Sequence, residues 1–186
     1  MKYSLYKRIL KKLYCVLWRL FFAHSFKTFG PKSNFYKPDT ITGECYISIG
    51  ACVNIATGAW LSAIPIDENE PELVIGSNTQ IGRFCHIIAV RELVLGESVL
   101  IADNVYISDN IHTYADPLLP ILKQPVAFRK RVVIGDGAWI GENASIIGAS
   151  IGKGSIVAAG AVVLNDMPDR CLIAGVPAKI IKLLDV

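Results

Sequence analysis

Ile75-Gly76, Ile81-Gly82, Ile87, Leu95-Gly96, Ile101-Ala102, Ile107-Ser108: along this stretch an aliphatic residue returns on a six-residue beat, with Gly or another small residue behind most returns. The beat resumes at Ile134-Gly135, Ile140-Gly141 and Ile146, shifts phase by one residue, and continues at Ile151-Gly152, Val157-Ala158 and Val163. It is neither the period of about 3.6 residues that lines one face of a helix nor the strict alternation of a half-buried strand. Repeats of this length predict an all-β solenoid, a parallel β-helix, whose aliphatic side chains stack from coil to coil. Three flat faces predict about 18 residues per coil, with strands of neighbouring coils about 4.8 Å apart.

Upstream, the beat can be followed to Ile41, Ile47-Ser48-Ile49-Gly50 and Val53, before an acidic insertion, Ile64-Pro65-Ile66-Asp67-Glu68-Asn69-Glu70-Pro71, bulges from the coil. Roughly five coils are expected between residues 41 and 168. The larger interruption, 113–131, contains Pro117, Pro120 and Pro125 and none of the beat. Loops longer than about 12–15 residues are usually functional or disordered, and this one leaves the solenoid directly after His112. Downstream, Leu164-Asn165-Asp166-Met167-Pro168-Asp169 reads as a turn that ends the coils. Residues 169–186, which contain Ala174-Gly175-Val176-Pro177-Ala178-Lys179-Ile180-Ile181, are expected to fold back as a short strand or cap.

Residues 1–40 differ in character. Leu5, Ile9, Leu13, Val16, Leu17 and Leu20 fall at helical spacing among Lys7, Arg8, Lys11 and Lys12, which predicts an amphipathic helix, or two short ones, over 3–24. Two roles stay open for it. It packs on the end of the β-helix or on a neighbouring subunit, or it rests on anionic lipid with Trp18, Phe21 and Phe22 in the interface. Residues 25–40, with Gly30, Pro31 and Pro38 as breakers, read as a connecting segment.

A chain of 186 residues suits one domain with an appendage. Nine of the 19 Lys and Arg, and none of the 16 Asp and Glu, lie in residues 1–37. The body is therefore acidic, which argues against nucleic-acid binding. The five cysteines, Cys15, Cys45, Cys52, Cys85 and Cys171, lack C-x-x-C spacing, so neither a disulfide framework nor a zinc site is indicated. The apolar stretch Leu13–Ala23 contains Arg19, lacks a following cleavage pattern and is shorter than the roughly 20 apolar residues of a bilayer span. A cytoplasmic protein is expected, with peripheral contact at the inner membrane face through residues 3–24 as a variant of that expectation.

Three motifs carry a resemblance. Ile107-Ser108-Asp109-Asn110-Ile111-His112 precedes the Pro-containing loop, Val133-Ile134-Gly135-Asp136-Gly137-Ala138-Trp139-Ile140-Gly141-Glu142-Asn143-Ala144 follows it, and Val157-Ala158-Ala159-Gly160-Ala161-Val162-Val163 is closed by Gly175-Val176-Pro177-Ala178-Lys179. In this order they resemble the left-handed parallel β-helix acyltransferases of the hexapeptide-repeat type. The nearest resemblance is to sugar O-acetyltransferases related to maltose, galactoside and capsule or colanic-acid acetyltransferases.

That resemblance implies a left-handed coil, a homotrimer, acetyl-CoA as co-substrate with no metal, and a cleft between adjacent β-helices where thioester and acceptor meet. It implies His112 as the catalytic base. An alcohol is a poor nucleophile until its proton is being removed, and imidazole titrates where that task needs it. His24 and His86 read more simply as structural. Asp109, Asp116 and Asp103 are the local candidates to fix the tautomer of the base, none favoured. A backbone N–H is the simplest oxyanion donor. For coenzyme A the resemblance points to Trp139, Gly141, Ala159, Gly160, Asn165 and Lys179, with Arg170 beside Lys179 for the phosphates. Asn165 stands where relatives often have Lys, small residues also suit hexad turns, and Trp139 suits either the thioester wall or a trimer contact. Phe84, Asp109 and Asn110 are the acceptor candidates. Phe84 stands where relatives acting on simple sugars often carry Asn, which implies a different acceptor, larger or lipid-linked. No phosphate loop of the G-x-x-x-x-G-K-[ST] type is present, so ATP chemistry is not supported.

The expected function is acetyl-CoA-dependent O-acetylation of a sugar hydroxyl in capsule, O-antigen or exopolysaccharide biosynthesis, by direct attack. N-acetylation of an amino sugar or antibiotic is the alternative within the class. From other classes come a noncatalytic trimeric scaffold and a zinc hydratase, which needs three converging histidines, whereas His24 lies outside the repeats.

Overall fold

The computed structural model describes residues 3–185; Met1, Lys2 and Val186 lie outside the described residues, and with them the Lys2 charge and the outermost positions of both terminal segments. Successive turns of the chain lay short strands on three parallel sheets, and the last turns reach the first of them through isolated bridges at Ile151 and Met167. Sheet A stacks Thr28–Phe29, Ile47–Ile49, Glu72–Ile75, Glu92–Leu95 and Val132–Ile134. Sheet B runs from Asn34–Phe35 through Asn54–Ile55, Gln80–Ile81, Leu100–Ile101, Trp139–Ile140 and Ile156–Val157 to Cys171–Gly175. Sheet C holds Thr40–Thr42, Trp60–Ala63, His86–Ala89, Tyr106–Ser108, Ser145–Ile147 and Val162–Val163. This is a parallel β-helix.

The register shows why the hexad residues decide the fold. Ile75 pairs with Leu95, Ile81 with Ile101 and Ile87 with Ile107, and all six are buried. Each such side chain contributes about 1.5–3 kcal/mol on burial, and the ladders repeat this from coil to coil. Buried hydroxyls stitch the corner between sheets A and B. Ser33, Thr79 and Ser155 each accept a backbone N–H from the next turn, at Val53, Val99 and Cys171, while donating to a carbonyl. Glycine at the corners reports close stacking: a Cβ at Gly141 would lie 2.5 Å from the Ala159 nitrogen.

Three expectations are corrected. The solenoid starts at Thr28–Phe29 rather than near Ile41, and sheet C holds six strands, one per turn, against the roughly five coils counted from the hexads. Residues 25–40 are thus largely the first turn, hidden because Phe29 and Phe35 occupy places that later turns give to aliphatic residues. Nor is the coil a uniform 18 residues. Ile81 pairs with Ile101, 20 positions on, whereas Ile140 pairs with Val157, only 17 on. The difference is absorbed at the corner between sheets C and A, where both insertions also leave. Beyond the last turn Ala178–Leu183 returns antiparallel on Cys171–Gly175, so residues 169–185 close sheet B as a hairpin.

Tyr3–Phe22 is a single α-helix. Its indole Trp18 stacks on Phe35 with ring centroids 4.6 Å apart and touches Phe26 and Phe29, so one helical face covers the open end of the first coil. Packing on the β-helix end is therefore realised. Among the described residues no helix is long and apolar enough to cross a membrane.

Candidate active site

The residues singled out for chemistry fall on two different edges of the prism. His112, Asp109 and Asn110 lie at the corner between sheets C and A, where the chain leaves the coil after Tyr106–Ser108. Here the long excursion begins earlier than the break in the beat suggests. Asn110–His112 and Val126–Phe128 pair antiparallel, with His112 opposite Val126, so His112 stands on an ordered two-stranded arm. Gln124 holds the arm's tip. Its amide nitrogen donates to the carbonyls of Asp116 and Leu119, and its oxygen accepts from the Asp116 N–H. The residue is buried, a role that proline content and missing periodicity did not reveal.

His112 is exposed at the mouth of a cleft of about 330 Å³. The walls come from the acidic insertion (Ile64, Ile66), the coil (Ile88, Tyr106, Ile147) and the arm (Ile111, Val126), with Asn110 also in the lining. Polar groups are few. The arrangement offers a solvent-reachable base beside an apolar wall, which suits proton removal from a hydroxyl held against that wall.

Each of the three carboxylates considered for the base is hydrogen-bonded to a group other than the His112 ring. Asp109 is fully buried and accepts backbone N–H bonds from Val90, Arg91 and Glu92 at 2.8–3.1 Å, plus the Asn110 amide. It anchors the neighbouring corner, and its expected place against the acceptor is corrected accordingly. Asp103 is engaged by Arg83, whose backbone N–H and guanidinium hold its carboxyl below the usual range. Asp116 caps Leu118 within the arm's tip. Arg91, next to the anchored corner, pairs with Asp67 of the acidic insertion and lies 4.8 Å over the Phe128 ring. It links the two excursions that frame the cleft, and periodicity gave no sign of it.

The second group lies elsewhere. Trp139, Gly141 and Ala159 line a cleft of about 490 Å³ with Ala102, Glu142, Ile156 and Leu172, on sheet B and its corner with sheet C. Gly160 adjoins it with φ 70°, and a Cβ there would meet nothing within 4 Å. Lys179 is exposed on the C-terminal hairpin, paired with Ala174. Asn165 lies apart from this group, at the C–A corner beside Leu164, whose carbonyl accepts from Arg129 of the arm. Phe84 is on the B–C corner with its ring over Gly58, and it does not line the His112 cleft as an acceptor contact on the same chain would. Trp60 packs edge-on against His86, which fits the structural reading of that histidine. Among the described residues no group of three or more His, Cys, Asp or Glu side chains is arranged to hold a metal.

A family model described as the hexapeptide repeat of succinyl-transferase matches residues 131–165, the coils that carry Trp139, Gly141 and Ala159. The match is confined to these coils. Over 117 residues it is 36% identical to the putative lipopolysaccharide biosynthesis O-acetyl transferase WbbJ of Escherichia coli, covering 59% of this chain and 60% of that one. Over 113 residues it is 42% identical to the putative acetyltransferase YJL218W of Saccharomyces cerevisiae, covering 58% and 57%. The chain thus spans less than two thirds of either relative. Its fold is similar to that of AntD, an N-acyltransferase from Bacillus cereus solved in complex with dTDP and 3-hydroxybutyryl-CoA, with TM-score 0.74 and 22% identity over 87% of this chain and 85% of that one. At that identity the likeness is one of fold.

Proposed function

We propose that this protein transfers the acetyl group of acetyl-CoA to a sugar hydroxyl, in capsule, O-antigen or exopolysaccharide biosynthesis in the cytoplasm. One observation carries the reading: His112 stands exposed on an ordered arm at the mouth of a cleft, with no carboxylate engaging its ring among the described residues. The imidazole takes the hydroxyl proton while the acceptor oxygen attacks the thioester carbonyl. The tetrahedral intermediate collapses, the C–S bond breaks, and the coenzyme A thiolate recovers the proton from the imidazolium. No acyl-enzyme is formed.

The two half-sites support a homotrimer of left-handed coils. In it the His112 corner of one protomer meets the Trp139, Gly141 and Ala159 edge of the next, where coenzyme A lies extended, with Lys179 and Arg170 toward its phosphates. The apolar wall of Ile64, Ile66, Ile88 and Val126 supports an acceptor with an apolar group beside its reacting hydroxyl. N-acetylation of an amino sugar is the second reading, favoured by the fold shared with an N-acyltransferase.

The test is release of coenzyme A thiol from acetyl-CoA with paired acceptors bearing a hydroxyl or an amine at one position. Transfer to the hydroxyl series, abolished by His112→Ala, is expected. Wild-type transfer by His112→Ala would refute the base, and transfer confined to amines would establish the second reading. A thermal shift with acetyl-CoA is expected, because a ligand that binds only the folded state stabilises it, and no shift would favour a noncatalytic scaffold.

A further inference from the structure

The helix Tyr3–Phe22 packs through one face and leaves the opposite one bare. Its docking face is short: Cys15 is buried, Trp18 stacks on Phe35, and Tyr14 meets Tyr36 edge-on. On the far side Leu5, Ile9, Leu13, Val16 and Leu20 form a continuous stripe at spacings of four, four, three and four residues, flanked by Tyr6, Leu10 and Leu17. All but the half-buried Val16 are exposed, Leu20 at 69%. Singly exposed leucines need no explanation, but a contiguous apolar face does.

The charges of the helix point to what covers it. Lys7, Arg8, Lys11, Lys12 and Arg19 are its charged residues, and none is acidic. Among the described residues the ion pairs of the protein all lie outside the helix. Lys12 and Arg19 each precede a stripe residue, Leu13 and Leu20, and so lie roughly 100° around the helix from it, at the edge of the apolar face. From there long side chains reach the plane above buried leucines with their charged ends in water. A second copy of the same helix would oppose base to base with no acid to answer it, whereas helices that pair with one another usually alternate Glu and Lys at these flanks.

We infer that the outward face of this helix docks on an anionic lipid surface, lying in the interface with Leu5, Ile9, Leu13, Val16 and Leu20 toward the acyl chains. The docking face remains on the first coil, so the β-helix is held against the membrane by its N-terminal turn. Both roles open for residues 3–24 are then filled at once, by opposite faces.

The test uses the full chain and is independent of acetyl transfer. Flotation with vesicles of phosphatidylcholine containing phosphatidylglycerol is compared with flotation with phosphatidylcholine alone, at low and high salt. Binding to the anionic vesicles only, weakened by salt, is expected, because the attraction of bases to anionic lipid is screened. Ile9→Glu/Leu13→Glu, which spares Cys15 and Trp18, is expected to lose binding while keeping its melting temperature. Absence of binding to anionic vesicles at low salt overturns the inference, as does unchanged binding by the double variant. If the double variant instead lowers the mass in sedimentation, the stripe is a contact between copies of this chain and the lipid assignment fails.

Discussion

Asp109→Asn separates an anchor from a catalytic partner. The carboxylate accepts three backbone N–H groups, from Val90, Arg91 and Glu92, and is fully buried. Hydrogen bonds to a charged acceptor contribute about 1.5–3 kcal/mol and neutral ones about 0.5–1.5, so neutralising it weakens each of these by about 1 kcal/mol. The amide also turns an NH2 group toward backbone donors. A loss of about 3 kcal/mol follows, and for a chain of this size that lowers Tm by about 6–12 °C. Thermal melting measures the loss, and a pH–rate profile of acetyl transfer, taken well below the new Tm, measures the effect on the base. As an anchor Asp109 leaves the midpoint of that profile where it was. If Tm falls by less than about 2 °C while kcat falls by orders of magnitude, Asp109 orients His112 as a triad carboxylate would, and the anchoring argument is wrong.

Arg91→Ala, which unties the acidic insertion from the arm, is expected to raise KM for the acceptor several-fold with a smaller change in kcat; an unchanged KM would mean that the arms hold the cleft without it. Thiol labelling of the folded protein should modify Cys45 first, since it is exposed, while Cys85, whose thiol burial pushes up to about 11, and the buried Cys171 stay silent until unfolding. Asp103 is held below the usual carboxylate range by the Arg83 backbone N–H and guanidinium, so its stabilising contribution is complete above the unfolded value of about 3.9 and is lost as pH falls through the lower folded one. Asp103→Asn should therefore be less stable than wild type at neutral pH, and the two melting curves should converge in acid.

What the sequence shows plainly is whatever the coil repeats. Ile75, Ile81 and Ile87 announce their burial because each stacks on an equivalent residue one turn on, so a local spacing encodes a long-range contact. The first turn escapes notice because Phe29 and Phe35 replace aliphatic side chains to receive Trp18, an aromatic arrangement with no period. The insertions are visible as silence in the beat, and the cleft at their base follows from that silence. What joins them is not visible. The bonds of Asp109 to residues 17–19 positions earlier depend on the register of the stacked coils, and Gln124 acts within a tip whose pairing strands share no pattern. The residues expected around coenzyme A divide between two edges for a related reason: sequence order says which coil a residue belongs to, while its place within the coil says on which edge of the prism it lies.

Phe84 carries the sharpest remaining contradiction between local preference and structure. It occupies the left-handed position of its B–C corner at φ 55°, where successive turns place Gly58, Asn104, Asn143 and Gly160. A bulky side chain there is an outlier, because the left-handed region brings Cβ against the following carbonyl at roughly 1–2 kcal/mol. The ring gains little from the core, being part of a residue 54% exposed, and its main neighbour is Gly58, where a Cβ would come within 2.3 Å of it. Within its own chain the contact with Gly58 is what is set against that strain. In the proposed trimer the B–C corner faces the His112 cleft of the next protomer, which returns Phe84 to the acceptor from across the interface. Phe84→Asn should then raise thermal stability by about 1 kcal/mol, through relief of the left-handed strain, and at the same time raise KM for the acceptor while leaving KM for acetyl-CoA unchanged. A variant that is both more stable and kinetically normal would show that the ring serves neither substrate. A variant that is less stable would show that its contact with Gly58 outweighs the strain, and the argument from backbone conformation would fall.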